Sequence, residues 1–287
     1  MPQIQKKLDW IMKNNGAKMW KGHEATIEAA MKYTDRWKHM AEEEIKEEDI
    51  KKSFYVPIKM KVFSWDRDSE KDTTISPIDS FKIMRAYVQA GFMAMDPISG
   101  EVKAWVGGIN HKYFQLDHVN VNTKRQIGST FKPFVYTVAI DNGWSPCMQI
   151  PNEPVVFTAY NNWTPKNSEG SYSYQNMTLR RAMGRSVNSV AAYLMKKTGP
   201  EKVVEFAREM GITSKLPALP SLCLGAGEVS LYEMVGAYST FVNQGIYTEP
   251  IIITRIEDKH GNVLVEKNTK THDAISKDVA YQMLHML

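Results

Sequence analysis

Apolar positions divide this chain into a charged front and a more apolar remainder. Over residues 1–53 a helical pattern is dominated by charge. Met1-Pro2-Gln3-Ile4-Gln5 opens on an amphipathic helix, and the run Glu42 to Lys52 reads as a solvated helix face. Ile58-Lys59-Met60-Lys61-Val62-Phe63 reads as a strand, followed by a polar loop through Asp66-Arg67-Asp68. Tyr87 to Asp96 and Val102 to Val106 flank the turn sequence Pro97-Ile98-Ser99-Gly100 and predict a hairpin. Helical patterns dominate the middle of the chain. Phe131 to Ile140 is apolar throughout, and Val187 to Lys196 predicts a helix that stops at Gly199-Pro200, glycine at the left-handed position and proline just beyond. A second hairpin is expected from Ile251 to Asp258 and Val263 to Lys267, around Lys259-His260-Gly261-Asn262. Ser276 caps a last helix, whose stripe is Val279, Ala280, Met283, Leu284 and Leu287. The expected division is 1–80, a charged helical region ending in a strand and loop, and 81–287, the main domain.

Composition narrows the picture only a little. A chain of 287 residues holds one large domain or a domain with an appendage. Its hydrophobic fraction of 43% is ordinary for a globular protein. A net charge of +4 without interleaved basic and aromatic residues argues against a nucleic-acid partner. No apolar run approaches the roughly 20 residues of a membrane span, and there is no signal peptide. Cys147 and Cys223 lie in apolar contexts and are expected as buried thiols. His111 and His118 lack metal-ligand spacing, so neither a metal nor another cofactor is expected.

Two short motifs carry the candidate chemistry. Ser129 and Lys132, in Gly128-Ser129-Thr130-Phe131-Lys132-Pro133-Phe134, form the one S-x-x-K of the sequence. On a helix this spacing places both side chains on one face, one turn apart. A serine hydroxyl needs a base to become a nucleophile, and a lysine can serve only when burial or a nearby cation lowers its pKa. Pro133 suits the first turn of a helix, so the helix begins at or just before Ser129, with its positive end toward the oxygen that must become an alkoxide. By itself the tetrad reads better as a capped helix with a surface lysine; its place inside the apolar segment Phe131 to Ile140 and a second motif downstream favour the chemical use. The second motif, Ser186-Val187-Asn188, is the one S-x-N. Its hydroxyl can relay a proton and its amide can donate and accept; by itself it reads better as a serine N-cap.

The order S-x-x-K then S-x-N resembles penicillin-binding proteins and serine β-lactamases. Further segments bring the resemblance to the class A (bifunctional, 1A-type) penicillin-binding proteins. These are Gly91 to Gly100 with Glu101 to Gly108, Trp163-Thr164-Pro165-Lys166-Asn167, Leu224-Gly225, and Glu228 to Met234 with Ala237-Tyr238. The resemblance implies an α+β fold of the β-lactamase/transpeptidase type: an antiparallel sheet flanked by helices, with a helical subdomain. It implies a D,D-transpeptidase acting on peptidoglycan stem peptides and trapped by β-lactams. Ser129 would attack the penultimate D-Ala carbonyl, and Lys132 would activate it. Ser186 would carry the proton to the leaving D-Ala, and Asn188 would hold the substrate amide. It also implies a place on the extracytoplasmic face of the bacterial inner membrane, with a membrane anchor that this sequence does not contain.

The sequence departs from that family in ways that set further expectations. The family's third motif, K-T-G, lies on a sheet strand. Lys197-Thr198-Gly199 instead continues a helix to its end, so it is expected as a helix terminus. The chain stops on Met286-Leu287 in mid-helix and reads as cut, without the C-terminal strands. An incomplete transpeptidase should be a poor enzyme and should leave apolar surface uncovered, including the stripe on Val279, Met283 and Leu287. A β-lactamase or β-lactam sensor, which would need an E-x-x-L-N segment where Glu228-Val229-Ser230-Leu231-Tyr232 stands, and a non-catalytic scaffold are the competing readings.

Overall fold

The computed structural model describes residues 3, 5–7, 9, 10, 13, 20–65 and 69–287. The helix expected from Met1 falls largely outside these residues, and the loop through Asp66-Arg67-Asp68 falls wholly outside them. The chain forms two compact units, Met1–Gln89 and Ala90–Leu287.

In the first unit, helices α1 (Glu24–Lys32), α2 (Asp35–Glu42) and α3 (Glu47–Ser53) precede a hairpin and a fourth helix. The hairpin pairs β1 (Ile58–Phe63) with β2 (Glu70–Ile75), and α4 (Pro77–Ala86) follows. β1 is the strand read from sequence; β2 and α4 were not in that reading. The signal for α4 is local: Ser76 Oγ accepts from Asp79 N at 3.2 Å, and Pro77 sits in the first turn, where an N–H would lack a partner. Ile27, Met31, Ile50, Phe54 and Ile78 make this unit's small core. Because α4 contributes Ile78 to it, the unit continues past residue 80 to Gln89.

The second unit opens on a hairpin of β3 (Phe92–Met95) and β4 (Val102–Val106). Its turn is organised by Asp96 Oδ1, which accepts from Ile98 N at 2.9 Å and Ser99 N at 2.8 Å. β3 begins later than the Tyr87 expected, because Tyr87 ends α4 and donates its hydroxyl to Phe63 O. Next come β5 (Lys124–Gln126), a 3-10 turn at Gly128–Phe131 and α5 (Lys132–Asp141). They are followed by β6 (Gln149–Pro151), β7 (Asn176–Thr178), α6 (Leu179–Gly184), α7 (Asn188–Thr198) and α8 (Pro200–Glu209). A second 3-10 turn at Pro220–Leu224 leads to β8 (Glu228–Ser230), α9 (Leu231–Val242) and β9 (Ile246–Thr248). The expected second hairpin is β10 (Arg255–Glu257) and β11 (Val263–Glu266); β12 (Thr271–Asp273) and α10 (Lys277–Met286) close the chain. Within this unit β3–β4, β5–β8, β6–β7, β9–β12 and β10–β11 each form an antiparallel pair, and the class is α+β.

The centre of this unit is α5, buried at every position from Lys132 to Ile140. A helix apolar on all sides belongs in the interior, and α7, α8 and α10 surround it. Phe131 stacks on Phe134 with ring centroids 4.9 Å apart, and Tyr238 and Phe241 of α9 pack on Phe134. Burying each of these phenylalanines contributes about 2–3 kcal/mol.

Two expectations are corrected here. On α10, Val279, Ala280, Met283 and Met286 are buried, whereas Leu284 and Leu287 are exposed. Helical spacing from Val279 runs through Met283 to Met286 and places Leu284 and Leu287 off the packed face. Val279 and Met283 are therefore covered by α5 and α9 rather than left open. Cys223 is a buried thiol as expected, but Cys147 is exposed, on the loop after α5.

α9 is fixed by a carboxylate. Glu233 is only 5% exposed and accepts from Thr213 N and Oγ1, Ser214 N and Oγ, and Ser230 N and Oγ. Burial alone would raise its pKa, but these six donors outweigh it and hold the carboxyl down at about 2. A carboxylate depressed in the fold contributes stability above its unfolded pKa, and loses it as pH falls through the folded value. Stability should therefore drop by up to about 3 kcal/mol between pH 4.5 and pH 2 from this group. Glu233→Gln should be less stable than the natural chain at pH 7, with the gap closing over that window in urea melts. A gap independent of pH would show that the ionised form is not what stabilises the loop.

Candidate active site

The segment carrying Ser129 is held by backbone contacts that only glycine permits. Ile127 N donates to Gly227 O and Gly128 N to Gly225 O, each at 3.1 Å. A Cβ on Gly225 would lie 1.9 Å from Gly128 O, and both glycines have positive φ, +73° and +58°. From the other side, Tyr238 of α9 donates its hydroxyl to Thr130 O at 2.6 Å. Burial pushes that phenol up to about 12, so it remains a donor throughout the neutral range. Ser129 is thereby exposed on the 3-10 turn, while Phe131 and Lys132 beside it are buried. The helix was expected at or just before Ser129; a 3-10 turn begins there, at Gly128, and α5 itself starts at Lys132, with Pro133 in its first turn.

Lys132 is 2% exposed, so it is not the surface lysine of a capped helix. Its Nζ donates to Ser186 O at 2.5 Å, Ser186 Oγ at 2.9 Å and Asn188 Oδ1 at 2.6 Å. These residues lie 54 and 56 positions away in sequence. Burial drives the amine's pKa down to about 8, against a small opposing effect of Cys223. The three oxygens favour the ammonium, whereas burial disfavours it.

Ser186 is not an N-cap. It occupies the left-handed region at φ +52°, just past the end of α6. Ser186 N donates to Met183 O at 2.8 Å and Val187 N to Ala182 O at 2.9 Å, the crossed pair of bonds that ends a helix in a Schellman motif. Glycine is the usual residue at that position. Serine there costs about 1 kcal/mol and directs both its carbonyl and its hydroxyl to Lys132.

Asn188 begins α7, whose N-cap, Val187, has no side-chain acceptor. Asn188 Nδ2 donates to Lys166 O at 2.8 Å, and Asn167 Oδ1 accepts from Ser189 N at 3.0 Å. Behind them, Asn152 Oδ1 accepts from Asn167 Nδ2 at 2.8 Å and Ser189 Oγ at 2.7 Å.

The structure thus brings Lys132, Ser186 and Asn188 into one hydrogen-bonded cluster. Ser129 adjoins it through the chain, since Ser129 O accepts from Lys132 N, but the three Nζ hydrogen bonds go to Ser186 and Asn188, not to Ser129 Oγ. Lys197, Thr198 and Gly199 end α7 as expected, with Lys197 Nζ over the Tyr193 ring at 5.6 Å. Sequence reading singled out the segments containing Asn167, Gly225 and Tyr238 but assigned them no roles. Asn152 and Ser189 carried no sequence signal, because their partners are distant in the chain.

Residues 90–287 match the penicillin-binding protein transpeptidase domain, and residues 11–88 match the penicillin-binding protein middle domain. The chain belongs to the penicillin-binding protein transpeptidase family. It is 36% identical over 203 residues to penicillin-binding protein 2D of Bacillus subtilis (strain 168), covering 70% of this chain and 29% of that protein. Among solved structures, penicillin-binding protein 1A from Haemophilus influenzae shares the fold with a TM-score of 0.66 at 23% identity, over 76% of this chain and 36% of that one. Penicillin-binding protein A from M. tuberculosis, solved as an imipenem acyl-enzyme complex, aligns with a TM-score of 0.54 at 18% identity, over 59% of this chain and 44% of that one. The chain therefore spans under a third of the length of the Bacillus relative. No helix among the described residues is long and apolar enough to cross a membrane.

Proposed function

We propose that the chain carries the serine acyl-enzyme centre of a peptidoglycan D,D-transpeptidase. The observation that supports this most is the convergence of Lys132, Ser186 and Asn188 beside an exposed serine. Ser129 Oγ attacks the penultimate D-Ala carbonyl of a stem peptide, and its proton passes to neutral Lys132. Asn188 holds the substrate amide. As the tetrahedral intermediate collapses, the C–N bond breaks and the leaving D-Ala amine takes a proton relayed through Ser186. An amine of a neighbouring stem then attacks the ester, releasing Ser129 and forming the crosslink. A β-lactam enters the same path at its ring amide and stops at the ester. By its family the protein works on the extracytoplasmic side of the bacterial membrane, with the first unit, which runs on to Gln89, as the linker region and the second unit as transpeptidase.

Lys197-Thr198-Gly199 is a helix end, so within this reading the strand that binds the substrate carboxylate and gives an oxyanion N–H is not supplied by that triplet. Fluorescent penicillin, followed by peptide mapping, tests the reading on these 287 residues and on a polypeptide continued through a K-T-G strand. The adduct is expected on Ser129 in both, about 10²–10³-fold faster in the longer one, and absent in Ser129→Ala. An adduct on another serine, or full labelling of Ser129→Ala, would overturn the assignment.

A further inference from the structure

The grip on the first turn of α7 comes from outside that helix. The first N–H groups of a helix have no partner within it, and Val187 offers no side-chain acceptor. Ser189 N is instead capped by Asn167 Oδ1, 22 residues upstream, at 3.0 Å. The adjoining carbonyl of Lys166 accepts from Asn188 Nδ2 at 2.8 Å. A carbonyl can only accept, so this bond decides which end of the Asn188 amide faces which way. With Nδ2 held toward Lys166 O, Oδ1 must face Lys132 Nζ, where it lies at 2.6 Å.

Asn167 is in turn held in place. Its Nδ2 donates to Asn152 Oδ1 at 2.8 Å and to Ser171 O at 3.1 Å. Asn152 is 7% exposed, and its Oδ1 also takes the Ser189 hydroxyl. A residue that ties a loop to a helix start from a buried anchor does more than close the loop. It fixes the register in which residues 166 and 167 meet positions 188 and 189.

We propose that Asn167 is a positioning residue for the transpeptidase reaction, orienting the Asn188 amide and through it setting the proton affinity of Lys132. This inference rests on the acyl-enzyme reading above and goes beyond it. When Asn167 is lost, the Lys166–Asn167 peptide is released and the Asn188 amide is free to turn. Lys132 then loses one of its three acceptors and can meet an N–H instead. Both changes disfavour the ammonium, so the lysine's pKa falls and the rising limb of acylation against pH moves to lower pH. The maximal rate falls at the same time, because Asn188 and Lys132 are no longer aligned with the substrate. The other titratable groups around Lys132 do not confuse this window. Cys223, from the turn at Pro220–Leu224, is held near 12, Tyr238 of α9 is also near 12, and Tyr136 on α5 itself is pushed higher by burial.

The test compares Asn167→Ala with Ser214→Ala, which removes one hydrogen bond to Glu233 and serves as a control for lost stability. Lys132 is followed by heteronuclear NMR titration, assigned with Lys132→Ala, and penicillin acylation is timed from pH 6 to 10. Asn167→Ala is expected to lower the Lys132 midpoint by about half a unit and the plateau rate about 10- to 100-fold. Ser214→Ala should lower the melting temperature and leave the midpoint in place. An unmoved midpoint in Asn167→Ala, or the same shift in both variants, overturns the inference. Failure of the unsubstituted chain to acylate would instead reject the acyl-enzyme reading, while the NMR titration still decides whether Asn167 governs Lys132.

Discussion

Lys132→Arg is expected to acylate penicillin about 10²–10⁴-fold more slowly than the natural chain, the range a well-placed general base contributes. Arginine keeps a positive charge in the site but does not give up its proton near neutral pH, so it can fill the space without acting as a base. The natural lysine can, because burial lowers its pKa to about 8. Relative to an amine at its ordinary value, that makes the neutral form ~300-fold more abundant at pH 7. In the proposed mechanism acylation needs the unprotonated amine, so the rate is expected to rise with pH through about 8 and then level. Timed labelling with a fluorescent penicillin across pH 6 to 10 measures both effects. A Lys132→Arg protein within threefold of the natural rate would mean that another group takes the Ser129 proton.

Ser186→Gly is expected to move stability and chemistry in opposite directions. Glycine adopts the left-handed backbone of position 186, at φ +52°, without the steric cost that serine bears there. The gain in the fold is partly offset by the freedom glycine has when unfolded, leaving a net stabilisation of about 0–1 kcal/mol. The helix-ending bonds from Ser186 N and Val187 N are backbone bonds and survive the change. What disappears is the hydroxyl at 2.9 Å from Lys132 Nζ, and with it the proton path that the proposed mechanism assigns to Ser186. Acylation should fall about 10²-fold or more. Calorimetry and acylation kinetics on one preparation decide the matter. A loss of stability above about 1 kcal/mol with unchanged acylation would make Ser186 a structural residue and remove it from the mechanism.

The position of Ser186 also shows how much a motif conveys. From sequence it reads first as an N-cap and only second as part of a cleft, and both uses need only a small hydroxyl before an apolar helix. The choice is made by α6, whose end turns the chain into the left-handed region and aims residue 186 at Lys132. Lys132 was ambiguous for a similar reason. Three residues after a serine, a lysine can be exposed or buried, and only the packing of α7, α8 and α10 around α5 removes it from water.

Local chemistry, by contrast, was legible. Gly199 and Pro200 end one helix and start the next with backbone preferences that need no tertiary partner, so Lys197-Thr198-Gly199 is where its neighbours put it. The turn at Asp96 to Gly100, the hairpin at Asp258 to Asn262 and the cap at Ser276 are settled in the same way, by side chains within a few residues of the backbone they hold. Two errors have a common cause. The exposed Cys147 and the buried face of α10 depend on which surfaces meet, and apolar neighbours in sequence do not report that.

The sequence by itself determined the turn that carries Ser129, the order of the two motifs, the helix end at Gly199-Pro200, the cap at Ser276, and the family those features belong to. Each rests on bonds spanning a few residues, or on a pattern of residue types along the chain. Only the tertiary structure decided the proton affinity of Lys132, the orientation of Asn188 and the support given by Asn152, Asn167, Gly225 and Tyr238. These depend on desolvation and on hydrogen bonds between groups 15 to 108 positions apart, such as Asn167 to Asn152 and Tyr238 to Thr130. Such distances become contacts only once α5 is enclosed and the loops close over it.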